Sequence, residues 1–113
     1  RGREVSTWAS AYGPNHFLSI HGDVDTTQGR IAAHVLGMTR NWKRAWGGQF
    51  AFCDAGGKPT SLRVPQFNRL LLFKVPRLHQ VNPVKPYARE SRYSLFGWYK
   101  IKQEYFTGLQ SGD

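Results

Sequence analysis

Breakers fall along this chain at such short intervals that no long helix fits between them. Gly13-Pro14-Asn15, Gly47-Gly48, the stretch Asp54-Ala55-Gly56-Gly57-Lys58-Pro59, and then Pro65, Pro76 and Pro83 each interrupt regular structure. Proline fixes φ and lacks an N–H, while glycine and asparagine favour turns. The segments left between them are short, aromatic and β-branched: residues 17–21, 49–53, 61–64, 69–75, 79–84 and 92–101. Residues 30–39 form an apolar run whose length fits a buried strand or a short helix. Residues 42–48 read as a turn. Pro83 makes residues 79–84 an expected edge or terminal strand. Short strands at roughly 8–12-residue spacing, with turn signals between them, predict an all-β sandwich or jelly roll.

The 113 residues allow one domain with a modest core, in which aromatics at 14% supply much of the buried area. We therefore expect a single unit over 1–113, with 1–10 and 103–113 peripheral or frayed. The start without Met makes a longer parent protein an expectation. The net charge of +9 favours acidic partners, but the cations are scattered and no run of five or six like charges suggests a nucleic-acid arm. Cys53 is the only cysteine, which excludes an intrachain disulfide and points to a reducing, cytoplasmic setting. No apolar run approaches the roughly 18–20 residues of a membrane span. Arg1-Gly2-Arg3-Glu4 has no apolar signal-peptide core.

His21-Gly22-Asp23 can present two ligands to one ion, because alternate residues on a strand share a face. Asp23 is expected where the strand gives way to the loop Val24-Asp25-Thr26-Thr27. His79, opening a distant strand, can supply a third ligand at the mouth of a barrel. Two histidines and a carboxylate suit iron(II) with open positions, and equally a zinc hydrolase site. Cys53 can join such a site. His16 and His34 read as surface or hydrogen-bonded residues.

Thirteen residues after His79 comes Arg92-Tyr93-Ser94-Leu95-Phe96-Gly97-Trp98-Tyr99. Period-two alternation puts Arg92, Ser94, Phe96 and Trp98 on one face. An arginine pointing into an aromatic barrel is costly unless an anion meets it, and its planar fork matches a carboxylate. Ser94 and Tyr12 can add neutral hydrogen bonds. The alternative is a solvent-facing Arg92 with Trp98 filling the core.

Over residues 12–99 the chain resembles the prolyl-4-hydroxylase-like branch of the iron(II)/2-oxoglutarate-dependent dioxygenases. The similarity lies in ordered pieces: Tyr12-Gly13, His21-Gly22-Asp23, Arg30, Trp42 with Trp46-Gly47-Gly48, Pro65-Gln66-Phe67-Asn68-Arg69-Leu70, the His79 segment, and Arg92-Tyr93-Ser94 with Trp98-Tyr99. The resemblance implies a double-stranded β-helix of the jelly-roll, cupin-like kind, lacking its N-terminal bracing helices. It implies iron(II) held by His21, Asp23 and His79. Arg92 would hold the distal carboxylate of 2-oxoglutarate, with Tyr12 and Ser94 as lesser contacts and Trp98 at the substrate pocket. O₂ would be consumed, succinate and CO₂ released, and a C–H bond hydroxylated. Retention of Asp23 favours hydroxylation over halogenation. The implied substrate is a prolyl, peptidyl or free amino acid, proline-like by analogy alone.

One departure is Gly37, which stands where some relatives place a tyrosine against 2-oxoglutarate, so the co-substrate pocket is expected to be built differently. Two alternatives remain. A nucleic-acid (alkylated-base) demethylase of the same superfamily fits the charge, but Trp98 stands where those enzymes carry a second arginine. A non-catalytic, metal-free β-sandwich with an anion site is the other. The basic turn Arg40-Asn41-Trp42-Lys43-Arg44 is read as solvated rather than as a docking site. The sequence leaves the oligomeric state and the primary substrate open.

Overall fold

The computed structural model describes residues 3–23 and 29–101. Among these residues eight strands form: β1 (Arg3–Tyr12), β2 (Leu18–His21), β3 (Arg30–Gly37), β4 (Phe50–Cys53), β5 (Pro59–Arg63), β6 (Leu70–Lys74), β7 (His79–Val81) and β8 (Arg92–Ile101). They build two four-stranded sheets, ordered β1-β8-β3-β6 and β2-β7-β4-β5. Every pairing is antiparallel, and β1 with β8, β2 with β7, β3 with β6 and β4 with β5 nest inside one another. The chain crosses between sheets as it nests. This is a double-stranded β-helix, the jelly roll that the breaker spacing anticipates. Among the described residues no helix is long and apolar enough to cross a membrane.

Side-chain alternation makes the core. Phe50 and Phe52 on β4, Phe73 on β6, Ala33 on β3 and Val81 on β7 face one another between the sheets. Fully burying a side chain of this size contributes about 1.5–3 kcal/mol, so these rings carry much of the stability. A second cluster of Trp42, Trp46 and Val84 lies where the turn after β3 meets the segment after β7. There Trp42 donates its indole N–H to the Gly47 carbonyl at 2.9 Å. Gly48 holds φ +68, and a Cβ on it would lie 3.2 Å from Cδ of Arg92. The Gly-Gly turn thus brings backbone against that arginine where a side chain would be strained and crowded.

Several local expectations are corrected. Residues 1–10 were expected to be peripheral or frayed; residues 3–10 are not frayed but belong to the strand Arg3–Tyr12, paired with β8 along its whole length at the edge of its sheet. The strand β7 is interior, between β2 and β4. Its ladder ends at Val81, so the missing N–H of Pro83 removes no strand hydrogen bond, and the Pro83 carbonyl accepts from the Gly48 N–H at 3.1 Å. Residues 30–37 resolve as strand rather than helix. The loop Val24-Asp25-Thr26-Thr27 and the tail 103–113 lie outside the described residues.

Candidate metal and co-substrate site

A cavity of about 280 Å³ opens between the sheets, with His21, Asp23 and His79 toward one end and Tyr12, Arg92 and Ser94 also in its walls. The ligand atoms of His21, Asp23 and His79 lie within 4.8 Å of one another, the only such group among the described residues. Cys53 is buried elsewhere in β4 and does not join it. His21 Nε2 is 3.0 Å from Asp23 Oδ1, and His79 Nε2 is 3.1 Å from Oδ2.

Strand alternation alone does not make this arrangement. The strand β2 stops at His21, and Asp23 takes φ +65, a left-handed conformation that aspartate tolerates better than most residues. His21 faces His79 across the β2–β7 ladder. His79 is fixed by a stacked Phe50 ring at 5.3 Å and an edge-on Phe73 ring at 5.1 Å.

Each histidine places Nδ1 against a carbonyl oxygen two residues back: His21 on Ser19 at 2.8 Å, His79 on Arg77 at 2.6 Å. A carbonyl only accepts, so each Nδ1 carries the proton. A ring in its neutral form then turns an Nε2 lone pair toward an Asp23 oxygen. Lone pair facing carboxylate is repulsive unless a proton or a cation stands between them. The donor set therefore fits a divalent metal, and the carbonyl anchors are the outer contacts that orient metal-binding imidazoles. Without metal the group is held together by charge. The Asp23 hydrogen bond raises the His21 pKa above its ordinary value, although burial opposes this. Burial pushes the Asp23 carboxyl up, but its hydrogen bonds to His21 and His79 outweigh that and hold it well below the usual carboxylate range.

Away from the His21–Asp23–His79 group, Arg92 is only 5% exposed. Its Nε–H donates to the Gly48 carbonyl at 2.8 Å, and the guanidinium lies 5.3 Å from the Tyr12 ring centroid. Among the described residues it pairs with no carboxylate. Burial lowers its pKa and raises that of the Tyr12 phenol. Tyr12 stands directly opposite Arg92 in the β1–β8 ladder. Ser94, two residues along β8 on the same face, shares a 2.7 Å hydrogen bond between hydroxyls with Ser10. The expected inward face of Arg92, Ser94, Phe96 and Trp98 lines the cavity.

Arg30 is the residue the sequence reading missed as a site residue. Period-two counting from Ala33 and Val35 turns it outward. The β3–β8 ladder, however, runs Arg30↔Lys100 and then Ala32↔Tyr99, so one extra residue on β3 flips Arg30 inward. Its guanidinium lies 3.7 Å over the Trp98 ring centroid, and a terminal nitrogen reaches the Asp23 carbonyl at 3.5 Å. Arg30 Nε, Trp98 Nε1 and Ser6 Oγ are buried polar atoms without a partner among the described residues. Ser6 and Trp98 are ladder partners, and Arg30 and Trp98 both line the cavity. His34 is structural: it reaches past Gly97 toward the Ser6 carbonyl at 3.2 Å. His16 accepts the Gly13 N–H at 2.9 Å and braces a turn.

The Gly37 position explains itself sterically. A Cβ there would come within 2.1 Å of the Gln66 carbonyl oxygen, so the backbone of the loop before β6 occupies the space a tyrosine would need.

Among curated proteins none matches the chain. Its fold is similar to that of a Pseudomonas putida prolyl-4-hydroxylase, with TM-score 0.75 and 27% identity over 89% of this chain and 55% of that one. A prolyl hydroxylase from Trichoplax adhaerens, solved with a hypoxia inducible factor oxygen degradation domain peptide fragment, is similar with TM-score 0.73 and 26% identity over 96% of this chain and 48% of that one. An oxidoreductase of the 2OG-Fe(II) oxygenase family from Burkholderia pseudomallei shares the fold at TM-score 0.71 and 18% identity, over 87% of this chain and 45% of that one. The chain thus spans about half the length of these solved relatives. The family model of the 2OG-Fe(II) oxygenases matches residues 7–100, taking in both histidines, the aspartate and the buried arginine, and by that match the chain belongs to the 2OG-Fe(II) oxygenase superfamily.

Proposed function

We propose that residues 1–113 form the catalytic core of an iron(II)- and 2-oxoglutarate-dependent dioxygenase that hydroxylates a C–H bond of a prolyl, peptidyl or free amino-acid substrate. The observation that carries the reading is the sharing of one cavity by the His21–Asp23–His79 group and a buried arginine without a counter-ion among the described residues. In this reading His21, Asp23 and His79 hold the metal through Nε2, a carboxylate oxygen and Nε2. Iron bound there would activate O₂, with 2-oxoglutarate leaving as succinate and CO₂.

The remaining roles belong to the chain. Arg92 offers its terminal N–H groups to the distal carboxylate, and that anion offsets the cost of burying the guanidinium. The Tyr12 phenol, kept neutral by its raised pKa, can donate to the same carboxylate. Ser94 adds a hydroxyl, and the Phe50 and Phe73 rings exclude water from the reacting side. Arg30 and Trp98 form the wall where substrate would lie. Their unpartnered N–H groups suit a carbonyl oxygen, which a peptide or amino acid brings. Peptide recognition by the Trichoplax relative supports that substrate class without extending to this chain's sequence preference.

The test is anaerobic purification, loading with Fe(II), admission of O₂ and measurement of succinate released from 2-oxoglutarate. Wild-type protein should release succinate. Asp23→Ala should fall to background, and Arg92→Ala should need about 100-fold more co-substrate, as loss of a buried charge-assisted contact costs about 2–5 kcal/mol. Wild-type turnover in Asp23→Ala would sink the ligand assignment.

A further inference from the structure

The basic turn after β3 exposes Arg40, Lys43 and Arg44, and the fold lays a second basic segment against it. Gly47 and Val84 form a β-bridge. The Lys85 N–H donates to the Trp46 carbonyl at 2.8 Å, and the Gly48 N–H to the Pro83 carbonyl at 3.1 Å. Buried Trp42, Trp46 and Val84 pack together at this junction. A Cβ on Gly47 would lie 3.4 Å from Cγ of Lys85, and Nζ of Lys43 is 5.9 Å from the Trp46 ring centroid. Lys85 is thus set beside the basic turn, with exposed Arg89 four residues further along. Glu90 is the one acid in residues 38–48 and 83–91. Among the described residues none of the five cations forms a salt bridge.

Tyr87 lies between Lys85 and Arg89 and is 60% exposed. Its hydroxyl donates to the Ala45 carbonyl at 2.9 Å, which ties the ring at the surface against the basic turn. Single exposed rings are common on proteins; this one is distinguished by its tether and its cationic neighbours. None of these residues lines either cavity, so the surface is separate from the metal and co-substrate reading and does not depend on it.

We propose that this surface binds single-stranded nucleic acid, with phosphates on Lys43, Arg44 and Lys85 and a base stacked on Tyr87. Cations alone would attract any polyanion. An acidic peptide would leave the ring unused, and a duplex keeps its bases stacked on one another. A single strand uses both features, its backbone following the cations while an unstacked base covers the ring.

Fluorescence anisotropy of the whole chain with labelled single-stranded RNA, and separately DNA, of about 10 nucleotides tests this. Saturable binding is expected at low salt with at least one of the two, and the tighter identifies the strand. Affinity should fall with salt at a logarithmic slope of about −0.7 per phosphate contacted. Lys43→Gln combined with Lys85→Gln should weaken binding at least about tenfold and flatten the slope by about 0.7 per lysine. Lys58→Gln combined with Lys74→Gln removes the same charge from the turn before β5 and from β6, and should leave the slope as in wild type. Tyr87→Ala, checked for a cooperative melt, should weaken binding at least about fivefold with the slope unchanged. Tyr87→Phe keeps the ring and should fall between. Absence of saturable binding to either strand overturns the proposal, as does equal weakening by the two lysine pairs. Wild-type affinity in Tyr87→Ala, with polyglutamate displacing the strand at equal charge, overturns it in favour of an acidic protein partner.

Discussion

The His21–Asp23–His79 group and the Arg92 region share a cavity but are built on opposite principles. Around His21, Asp23 and His79 the charges balance locally, and each imidazole is anchored by a carbonyl two residues away in sequence. Arg92 is anchored by the Gly48 carbonyl, 44 residues away, and its charge is balanced by nothing in the described protein. The first arrangement can hold its shape without a ligand. The second makes energetic sense only as a place for an anion, because a buried unpaired charge costs several kcal/mol. Perturbed charge in a cavity marks function more sharply where the protein has not neutralised it.

The contrast is sharpest in the metal-free protein, where the largest effect is expected. Asp23→Asn should destabilise the fold by about 1–3 kcal/mol, since it leaves two histidines without their acceptor. Arg92→Met should be neutral or stabilising by about 1–3 kcal/mol. Urea unfolding of both variants checks this. Equal losses would mean that Arg92 is as well compensated as Asp23.

A pH series gives the next effect. The His21 pKa is raised, so its contribution to the metal-free fold is complete below the ordinary histidine value and is lost as pH rises through the folded one. Asp23 is depressed; its contribution is present above the ordinary carboxylate value and is lost as pH falls toward the folded one. A metal needs the Nε2 proton removed. Apparent Fe(II) affinity should therefore climb about tenfold per pH unit for each proton displaced, then level off above the raised His21 pKa. Melting with and without Fe(II), at stepped pH under argon, reads this as a stabilisation by iron that grows with pH. Co-substrate affinity at Arg92 should be flat over the same range.

Tyr12→Phe should give the smallest effect. It removes one hydroxyl and keeps the ring beside Arg92. Loss of about 0.5–1.5 kcal/mol predicts a few-fold rise in the 2-oxoglutarate dissociation constant with no change in iron uptake.

Much of this was legible in the sequence because it rests on period two. The inward row of Arg92, Ser94, Phe96 and Trp98 follows from counting along an unbroken ladder, and the breaker spacing gives the jelly roll. What escaped depends on departures from that count. A bulge in β3 turns Arg30 into the cavity. The ladder of β7 stops before Pro83, so a strand expected at an edge is interior. Left-handed backbone, rather than strand alternation, carries Asp23 to its histidines.

In the proposed function one cavity serves metal and co-substrate together. The most direct test is the dissociation constant of 2-oxoglutarate, measured anaerobically with and without saturating Fe(II), in wild type, Asp23→Ala and Arg92→Ala. A co-substrate that touches both the metal and Arg92 should bind at least about tenfold tighter when iron is present, a coupling near the middle of the usual range. That gain should vanish in Asp23→Ala, while Arg92→Ala should weaken binding in both states. Affinity in wild type that is indifferent to iron would contradict the account.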